Sequence, residues 1–241
     1  MMAHERFSPE RLRGLRVSYS GSAPLPASLL ERWESVTGAP VLEGYGLSET
    51  GPVLTFNPLH GVHKPQSVGL PLPQTELQIV DAANEEQVLG VNQIGEIRVR
   101  GPQIMTGYRN RPEETAQALR NGWFYTGDLG EIDADGYLFI RDRKKDMLLV
   151  SGYNVYPREV EEVLYLHPGV REAAVIGAPD ERRGSLVKAF VAFREGAQVD
   201  ASELDTFCRT RLAAYKVPRA YEFVAALPKT SVGKVDRKQL R

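Results

Sequence analysis

The segment at residues 43–50 combines a flat aromatic ring with groups that can bind phosphate. Two glycines bracket Tyr45, so the backbone can pass close to a planar ligand while the tyrosine ring stacks on it. Ser48 offers a hydroxyl to phosphate oxygens, and Glu49 offers a carboxylate to a hard cation such as Mg²⁺. The alternative is a structural turn with a polar cap, which is the commoner use of such a segment taken alone.

Two further segments carry groups of the same kind. Asp128 stands between glycine turns just after an aromatic stretch, where its carboxylate could accept hydrogen bonds from a ribose diol. The alternative there is an aspartate that caps a tight turn. Lys234 follows a glycine in a flexible loop and could place a positive charge on a phosphate or carboxylate. Its alternative is a solvated lysine near the chain end.

The elements that must position these groups fall into two sets. Over residues 1–141 the pattern predicts a helix with Leu29, Leu30, Trp33 and Val36 on one face, and a second helix at 112–119. Strands are expected at residues 15–20, 41–42, 76–80 and 95–100, with short ones about Trp123 and Tyr137. Residues 52–73 are rich in proline and glycine, which predicts an irregular connection.

The composition changes at residues 141–146, where six charged residues in a row predict a solvated surface or hinge rather than a buried strand. Beyond them strands and helices alternate: strands at 147–150, 173–177, 187–193 and 221–224, and helices at 157–166 and 202–212. About 100 residues suffice for a small α+β domain. The predicted domains are therefore residues 1–141 and 142–241.

Composition excludes several classes of protein. The chain has 30 basic and 31 acidic residues, so no global charge points to nucleic acid, and no apolar run reaches the length of a membrane span. Its single cysteine, Cys208, cannot form a disulfide within the chain and is expected to be a small buried apolar residue. The histidines lack metal-ligand spacing. Without a signal peptide at the start, the expected location is cytoplasmic.

The order and spacing of these segments resemble the later signature motifs of the adenylate-forming enzymes, which include acyl- and aryl-CoA ligases, luciferases and peptide-synthetase adenylation domains. In five segments the amino-acid sequence is most similar to that of bacterial long-chain fatty acid–CoA ligases. These segments are Gly127-Asp128-Leu129, residues 142–146, residues 150–157, Tyr215-Lys216-Val217-Pro218 and residues 228–234. The resemblance implies an α+β fold made of the distal part of a large AMP-binding N-terminal domain and a small mobile C-terminal domain.

The resemblance also implies a nucleotide site. Tyr45 would stack on adenine, and Asp128 and Arg143 would hold the ribose hydroxyls. The other positions that match the cofactor-binding motifs are Gly21, Ser22, Ala23, Gly44, Gly46 and Ile140. Ser22 is a departure, because many members of the family have glycine there.

In such enzymes a carboxylate attacks the α-phosphate of ATP, and coenzyme A then displaces AMP. By the same match, Ser48 would contact phosphate, Glu49 would bind Mg²⁺, and Lys234 would bridge the carboxylate and the α-phosphate. Lys145 would be the hinge about which the small domain rotates. That rotation would bring the Gly152-Tyr153 loop beside the thiol of coenzyme A.

The family's phosphate-binding loop and the first part of its N-terminal domain are not found in residues 1–241. The expectation is a truncated form or a wrongly assigned gene start, inactive alone. Two rival functions stay open: an aryl- or short-chain acid ligase or carrier-loading adenylation domain, and a non-catalytic nucleotide-binding remnant. The expected partners are a fatty acid, ATP and coenzyme A but no nucleic acid, while peripheral membrane contact and self-association are left open.

Overall fold

The computed structural model describes residues 2, 7–22, 25–180, 184–197, 199–231 and 233–241. The chain divides into two compact units, Met1–Ile140 and Arg141–Arg241. The predicted α+β class is confirmed, because helices and mixed sheets occur in both units. Within the described ranges, no helix is both long and apolar enough to cross a bilayer.

A four-stranded sheet opens the first unit. Its strands are β1 (Ser18–Ser20), β2 (Val41–Tyr45), β3 (Thr55–Phe56) and β4 (Leu70–Pro71), in the order β1-β2-β3-β4. β1 and β2 are parallel, and helix α1 (Ala27–Thr37) connects them. The helix ends at Gly38, whose φ of 70° is left-handed and favours glycine. Trp33 of the helix donates from Nε1 to Ser18 Oγ at 2.8 Å, which fixes α1 against β1.

A second sheet completes the first unit. Its strands are β5 (Glu76–Val80), β6 (Gly95–Arg100), β7 (Leu119–Arg120), β8 (Trp123–Ile132) and the start of β9 (Leu138–Arg143), whose residues from Arg141 onward belong to the second unit. The order is β5-β6-β8-β7, with β9 beside β8. Helix α2 (Pro112–Ala118) leads into β7, with proline at its start. The apolar core of this unit is formed by Leu54, Ile79, Ile97, Val99, Phe124 and Leu138.

Over its described residues, the second unit has one five-stranded sheet and two α-helices. Its elements are β10 (Leu148–Val150), β11 (Tyr153–Val155), α3 (Pro157–Tyr165), β12 (Val170–Asp180), β13 (Gly184–Phe193), α4 (Ala201–Arg209) and β14 (Ala220–Phe223). The order is β11-β10-β13-β12, and β14 lies parallel to β13. Val160 and Leu164 of α3 join Leu204 and Cys208 of α4 in the core. The prediction that Cys208 is a buried apolar residue is confirmed, since it is fully buried.

Two expectations about local structure were wrong. Residues 52–73 are not wholly irregular, because the two short strands β3 and β4 lie within them. The charged run was expected to be a solvated surface or a hinge and not a buried strand, yet β9 extends to Arg143 and Asp142 is buried, with 7% of its surface exposed. The backbone N–H groups of Arg143 and Arg158 donate to the Asp142 carboxylate at 2.7 and 2.8 Å, which makes its burial tolerable.

Candidate active site

Two glycine-containing segments meet where β1 and β2 end. The strands run parallel with Ser20 opposite Glu43, so Gly21 and Gly44 follow at the same edge of the sheet. A Cβ placed on Gly21 would lie 3.5 Å from Gly44 O, an ordinary contact distance. Open sheets with parallel strands bind ligands at the carboxyl ends of those strands. This edge is therefore the place in the first unit where a ligand is expected.

The glycines on either side of Tyr45 have packing reasons of their own. A Cβ on Gly44 would lie 2.4 Å from Phe56 Cδ2, and one on Gly46 would lie 1.9 Å from Pro52 O. Both distances are too short for any side chain. These two glycines are thus required by the fold itself, and a ligand is not needed to explain them.

Tyr45 and Asp128 are brought together from positions 83 residues apart. The Tyr45 hydroxyl donates to Asp128 Oδ2 at 2.7 Å. Asp128 is buried, with 5% of its surface exposed. A hydrogen bond to a carboxylate is short and strong, so it orients both the aromatic ring and the acid. The side chains from the two sequence segments that suggested adenine and ribose binding are therefore joined by a direct hydrogen bond.

A bulge in β8 sets the direction of Asp128. Glu96 pairs with Leu129 and Arg98 with Tyr125, so residues 126–128 lie opposite Ile97 alone. Thr126 Oγ1 donates to Ile97 O at 2.9 Å and accepts from the Asp128 N–H at 3.1 Å. Bulges of this kind redirect side chains and are frequent next to active sites.

Glu49 is held by a residue that the sequence did not point to. The Tyr108 hydroxyl donates to Glu49 Oε1 at 2.9 Å, and the Met105 N–H donates to Glu49 O at 2.9 Å. Burial, followed by the hydrogen bond to Glu49, raises the pKa of the Tyr108 hydroxyl. The hydroxyl therefore stays protonated at neutral pH and can keep donating. Ser48, the neighbour of Glu49, is exposed.

The residues around Glu49 fit a metal ion whose coordination comes mainly from substrate phosphates and water, with one carboxylate from the protein. In the parts of the chain that the structure describes, no group of three or more histidine, cysteine or acidic side chains is placed to hold a metal ion. Mg²⁺ is commonly bound by one or two carboxylates, with substrate phosphates and water completing its shell. Glu49 is the carboxylate of this site that could serve in that way.

In the second unit, a tight turn presents Tyr153. Ser151 and Gly152 link β10 to β11 with φ values of 51° and 84°, as a two-residue hairpin turn requires. Tyr153 is 58% exposed, and its ring stacks on that of Tyr215 with centroids 4.6 Å apart. The turn is therefore positioned by a tyrosine that lies far along the chain.

Hydrogen bonds between Thr230 and Lys234 close the C-terminal loop. The Thr230 N–H donates to Lys234 O at 2.7 Å, and the Lys234 N–H donates to Thr230 Oγ1 at 3.2 Å. Lys234 is exposed, as are Arg143 and Lys145. Lys145 lies in a short 3-10 helix, Lys144–Asp146, directly after β9.

Comparison with known proteins identifies the family in which these features occur. A model described as AMP-binding enzyme matches residues 1–109, and one described as AMP-binding enzyme C-terminal domain matches residues 159–234. A long-chain-fatty-acid–CoA ligase from Bacillus subtilis (strain 168) is 49% identical over 240 residues, covering 100% of this chain and 43% of that ligase. The chain belongs to the AMP-binding enzyme family. The resemblance to adenylate-forming enzymes is thereby confirmed.

The relatives of this AMP-binding chain include one whose name gives a different acid, and solved structures. A feruloyl-CoA synthase from an Amycolatopsis species is 43% identical over 240 residues, covering 99% of this chain and 48% of the synthase. The ATP-bound crystal structure of MatB from Rhodopseudomonas palustris matches with a TM-score of 0.94 and 38% identity. It covers 100% of this chain and 48% of MatB. The chain thus spans less than half the length of each of these relatives.

The residues that the sequence predicts for nucleotide, phosphate, Mg²⁺ or coenzyme A binding, or for the hinge, occur in both units. Those in the first unit are Gly21, Ser22, Gly44, Tyr45, Gly46, Ser48, Glu49, Asp128 and Ile140; Ala23 lies outside the described residues. Those in the second unit are Arg143, Lys145, Gly152, Tyr153 and Lys234. Ile140 packs against the apolar core of the first unit. Ser22 has a left-handed φ of 69°, which explains why glycine suits this position better.

Sequence reasoning missed the residues that hold the candidate groups. Thr126 stands two residues before Asp128, and a hydroxyl at that spacing is a recognisable turn signal. Tyr108 gave no such signal, and Tyr215, although it lies in a segment that resembles the family, gave no indication of its contact with Tyr153. Their partners, Glu49 and Tyr153, lie 59 and 62 residues away, and single-sequence patterns do not report contacts over such distances.

Proposed function

We propose that the protein to which these residues belong is an ATP-dependent ligase that joins a long-chain fatty acid to coenzyme A. The observation that carries the proposal is the hydrogen bond between Tyr45 and Asp128. It fixes an aromatic ring and a carboxylate side by side at the carboxyl ends of two parallel strands, an arrangement suited to a nucleoside. The identity to long-chain-fatty-acid–CoA ligases supports the choice of acid.

In the first half-reaction a carboxylate oxygen of the acid attacks the α-phosphorus of ATP. The bond from that phosphorus to the bridging oxygen breaks, and pyrophosphate leaves with the electron pair. We assign Tyr45 to stacking on adenine and Asp128 to the ribose diol, with Arg143 as a second ribose contact. Lys234 stabilises the negative charge shared by the attacking carboxylate and the α-phosphate.

We assign Glu49 to Mg²⁺ and Ser48 to a phosphate oxygen. Bound beside the phosphates, the ion would neutralise charge that builds up at the reacting phosphorus and the departing pyrophosphate. Tyr108 acts on this site through Glu49. Its hydroxyl donates to Oε1 at 2.9 Å and orients the carboxylate, leaving the other oxygen to face a cation.

In the second half-reaction the thiol sulfur of coenzyme A attacks the acyl carbon of the adenylate. The bond from that carbon to the phosphate oxygen breaks, AMP leaves, and the thiol proton passes to solvent. We assign Gly152 and Tyr153 to the thiol-bearing arm of coenzyme A and Lys145 to the hinge between the half-reactions. The exposure of Tyr153 and Lys145 supports this assignment, because both must act without being tied into a core. We propose the cytoplasm, where ATP and coenzyme A are available, as the site of action.

The test uses the full-length product of the gene that carries these residues. Acyl-CoA formation is measured by mass spectrometry with acetate, benzoate, octanoate and palmitate, each with ATP, Mg²⁺ and coenzyme A. Product should peak at the long acids and fall strongly in Lys234→Ala. The matched control is Lys238→Ala, which removes an exposed lysine from the same C-terminal segment. Absence of product with every acid would refute the proposal.

A second candidate is an aryl acid–CoA ligase. It is favoured by the identity to a feruloyl-CoA synthase, which is only a few per cent below that to the fatty acid ligases. Product with benzoate and none with palmitate would select it. A non-catalytic nucleotide-binding role predicts instead that ATP binds, that binding weakens in Asp128→Ala, and that no acid is converted.

A further inference from the structure

The position of Lys234 depends on what holds the two sides of its loop. Within the loop, hydrogen bonds between Thr230 and Lys234 fix the local shape. Lys229, on the preceding side, pairs with Glu172, but that pair is exposed, with 38% and 27% of the side chains accessible. Exposed ion pairs contribute little to rigidity because solvent screens them. The preceding side is therefore weakly anchored by charge.

The following side carries a stronger anchor. Arg237 comes three residues after Lys234 and begins a 3-10 helix, Arg237–Leu240. Its Nη2 donates to Glu161 Oε1 at 2.6 Å and to Oε2 at 2.8 Å. Glu161 lies on α3 with 12% of its side chain exposed, and its Oε1 also accepts from the Val175 N–H at 2.7 Å. Both bonds come from the same Nη2 atom, and because the pair is largely buried, solvent screens it less than it screens the pair of Lys229.

The same C-terminal segment is tied to the charged run at residues 141–146. The positive charge of Arg237 acts on the buried carboxylate of Asp142 as well as on Glu161. Arg241 Nη2 pairs directly with Asp146 Oδ1 at 3.0 Å. The segment after Lys234 thus connects to both α3 and residues 142–146, the region assigned to the hinge.

Apolar packing supports this attachment on the face away from the charges. Val235 and Leu240 pack against a cluster of buried residues on β12, β13 and the segment before the loop: Ala174, Ile176, Phe190 and Leu227. This packing holds the segment on the sheet. It does not determine where along the sheet Lys234 stands, because apolar contacts lack direction.

We propose that Glu161 and Arg237 are positioning residues for Lys234, so that their ion pair sets the place of the lysine for the adenylation step. This inference rests on the proposed function, in which Lys234 acts on the carboxylate and the α-phosphate. It assigns no role to the pair in thioester formation, since that step uses the Gly152-Tyr153 turn.

The experiment separates the two half-reactions in the full-length gene product. Adenylation is followed as pyrophosphate release without coenzyme A, and thioester formation as the conversion of synthetic palmitoyl-adenylate and coenzyme A. In Arg237→Gln, the kcat of adenylation should fall roughly 10- to 100-fold, as expected for a displaced catalytic group. The KM for ATP and the rate of thioester formation should both stay within about twofold of the original. Arg237→Lys should recover part of the loss.

The control and the second variant address stability. Arg209→Gln removes an exposed ion pair on α4 and should leave both half-reactions unchanged. Because Arg237→Gln leaves Glu161 buried without its partner, the double variant Glu161→Gln/Arg237→Gln is tested in parallel, and it should show the same selective loss.

Three results would overturn the inference: unchanged adenylation in Arg237→Gln, an equal loss in both half-reactions, or a double variant that does not fold. Failure of the proposed function looks different. In that case Lys234→Ala itself leaves adenylation unaffected, or the unaltered protein forms no acyl-adenylate at all.

Discussion

The hydrogen bond between Tyr45 and Asp128 can be tested apart from any catalytic role. Tyr45→Phe keeps the ring and removes the hydroxyl that donates to Asp128 Oδ2 at 2.7 Å. Because Asp128 is 5% exposed, bulk water cannot fully replace that donor. Hydrogen bonds to charged groups contribute about 1.5–3 kcal/mol, so the free energy of unfolding of the first unit should fall by roughly 2 kcal/mol.

The assay is urea unfolding followed by tryptophan fluorescence. The chain has two tryptophans, Trp33 and Trp123, and both lie in the first unit, so the signal reports on that unit. With a slope of about 2 kcal/mol/M, a loss of that size lowers the midpoint by roughly 1 M urea. Tyr19→Phe is the matched control, because Tyr19 is 64% exposed and should change stability by less than about 0.5 kcal/mol.

A double-mutant cycle with Asp128→Asn isolates the interaction. The coupling free energy between the two changes should be about 1–2 kcal/mol. In the full-length protein, Tyr45→Phe should weaken ATP binding by less than about tenfold, because the ring that stacks on adenine is retained. Asp128→Asn should weaken it further. A coupling below about 0.3 kcal/mol would refute the reasoning, since the two groups would then not interact energetically.

Three other outcomes follow from single sites. Ser22→Gly should stabilise the first unit by up to about 1 kcal/mol in the same urea assay, because φ is 69° and glycine relieves left-handed strain; a loss of stability would contradict this. Tyr215→Ala removes the ring stacked on Tyr153 and should slow thioester formation about 2- to 10-fold without affecting adenylation, as measured from synthetic palmitoyl-adenylate. Burial raises the pKa of the Asp142 carboxyl above its ordinary 3.8, so the folded state holds a proton that the unfolded chain releases. This contribution to stability is present below pH 3.8 and is lost as pH rises through the raised pKa, and Asp142→Asn should remove that slope from urea unfolding followed by circular dichroism.

Much of the fold was predictable because its signals are local. Strands at residues 76–80 and 95–100 were predicted with the bounds that the structure has, since alternation and flanking turn residues mark both ends. Helix α3 begins at Pro157 as expected, because proline suits the first helical position. The short strands β3 and β4 were missed, since two residues are too few for any period to register.

The charged run shows why local composition fails at a buried polar position. Six charged residues in succession exclude an apolar core strand, and Arg143 and Lys145 are indeed exposed. Asp142 is nevertheless buried, because the N–H groups of Arg143 and Arg158 satisfy its carboxylate. The second of these donors comes from the start of α3, sixteen residues along the chain. Composition describes a residue's preference for water, whereas burial depends on which partners the fold supplies.

The same distinction applies to the candidate site. Tyr45, Glu49, Asp128 and Lys234 could be named from residue type and motif, because chemistry requires particular groups at those places. The residues that hold them could not be named, since Tyr108 and Arg237 act only through partners fixed by the three-dimensional fold. Because these residues position other groups and do not contact the ligand, their substitution should change kcat and the coupling energies with their partners, and not the number of contacts to the ligand.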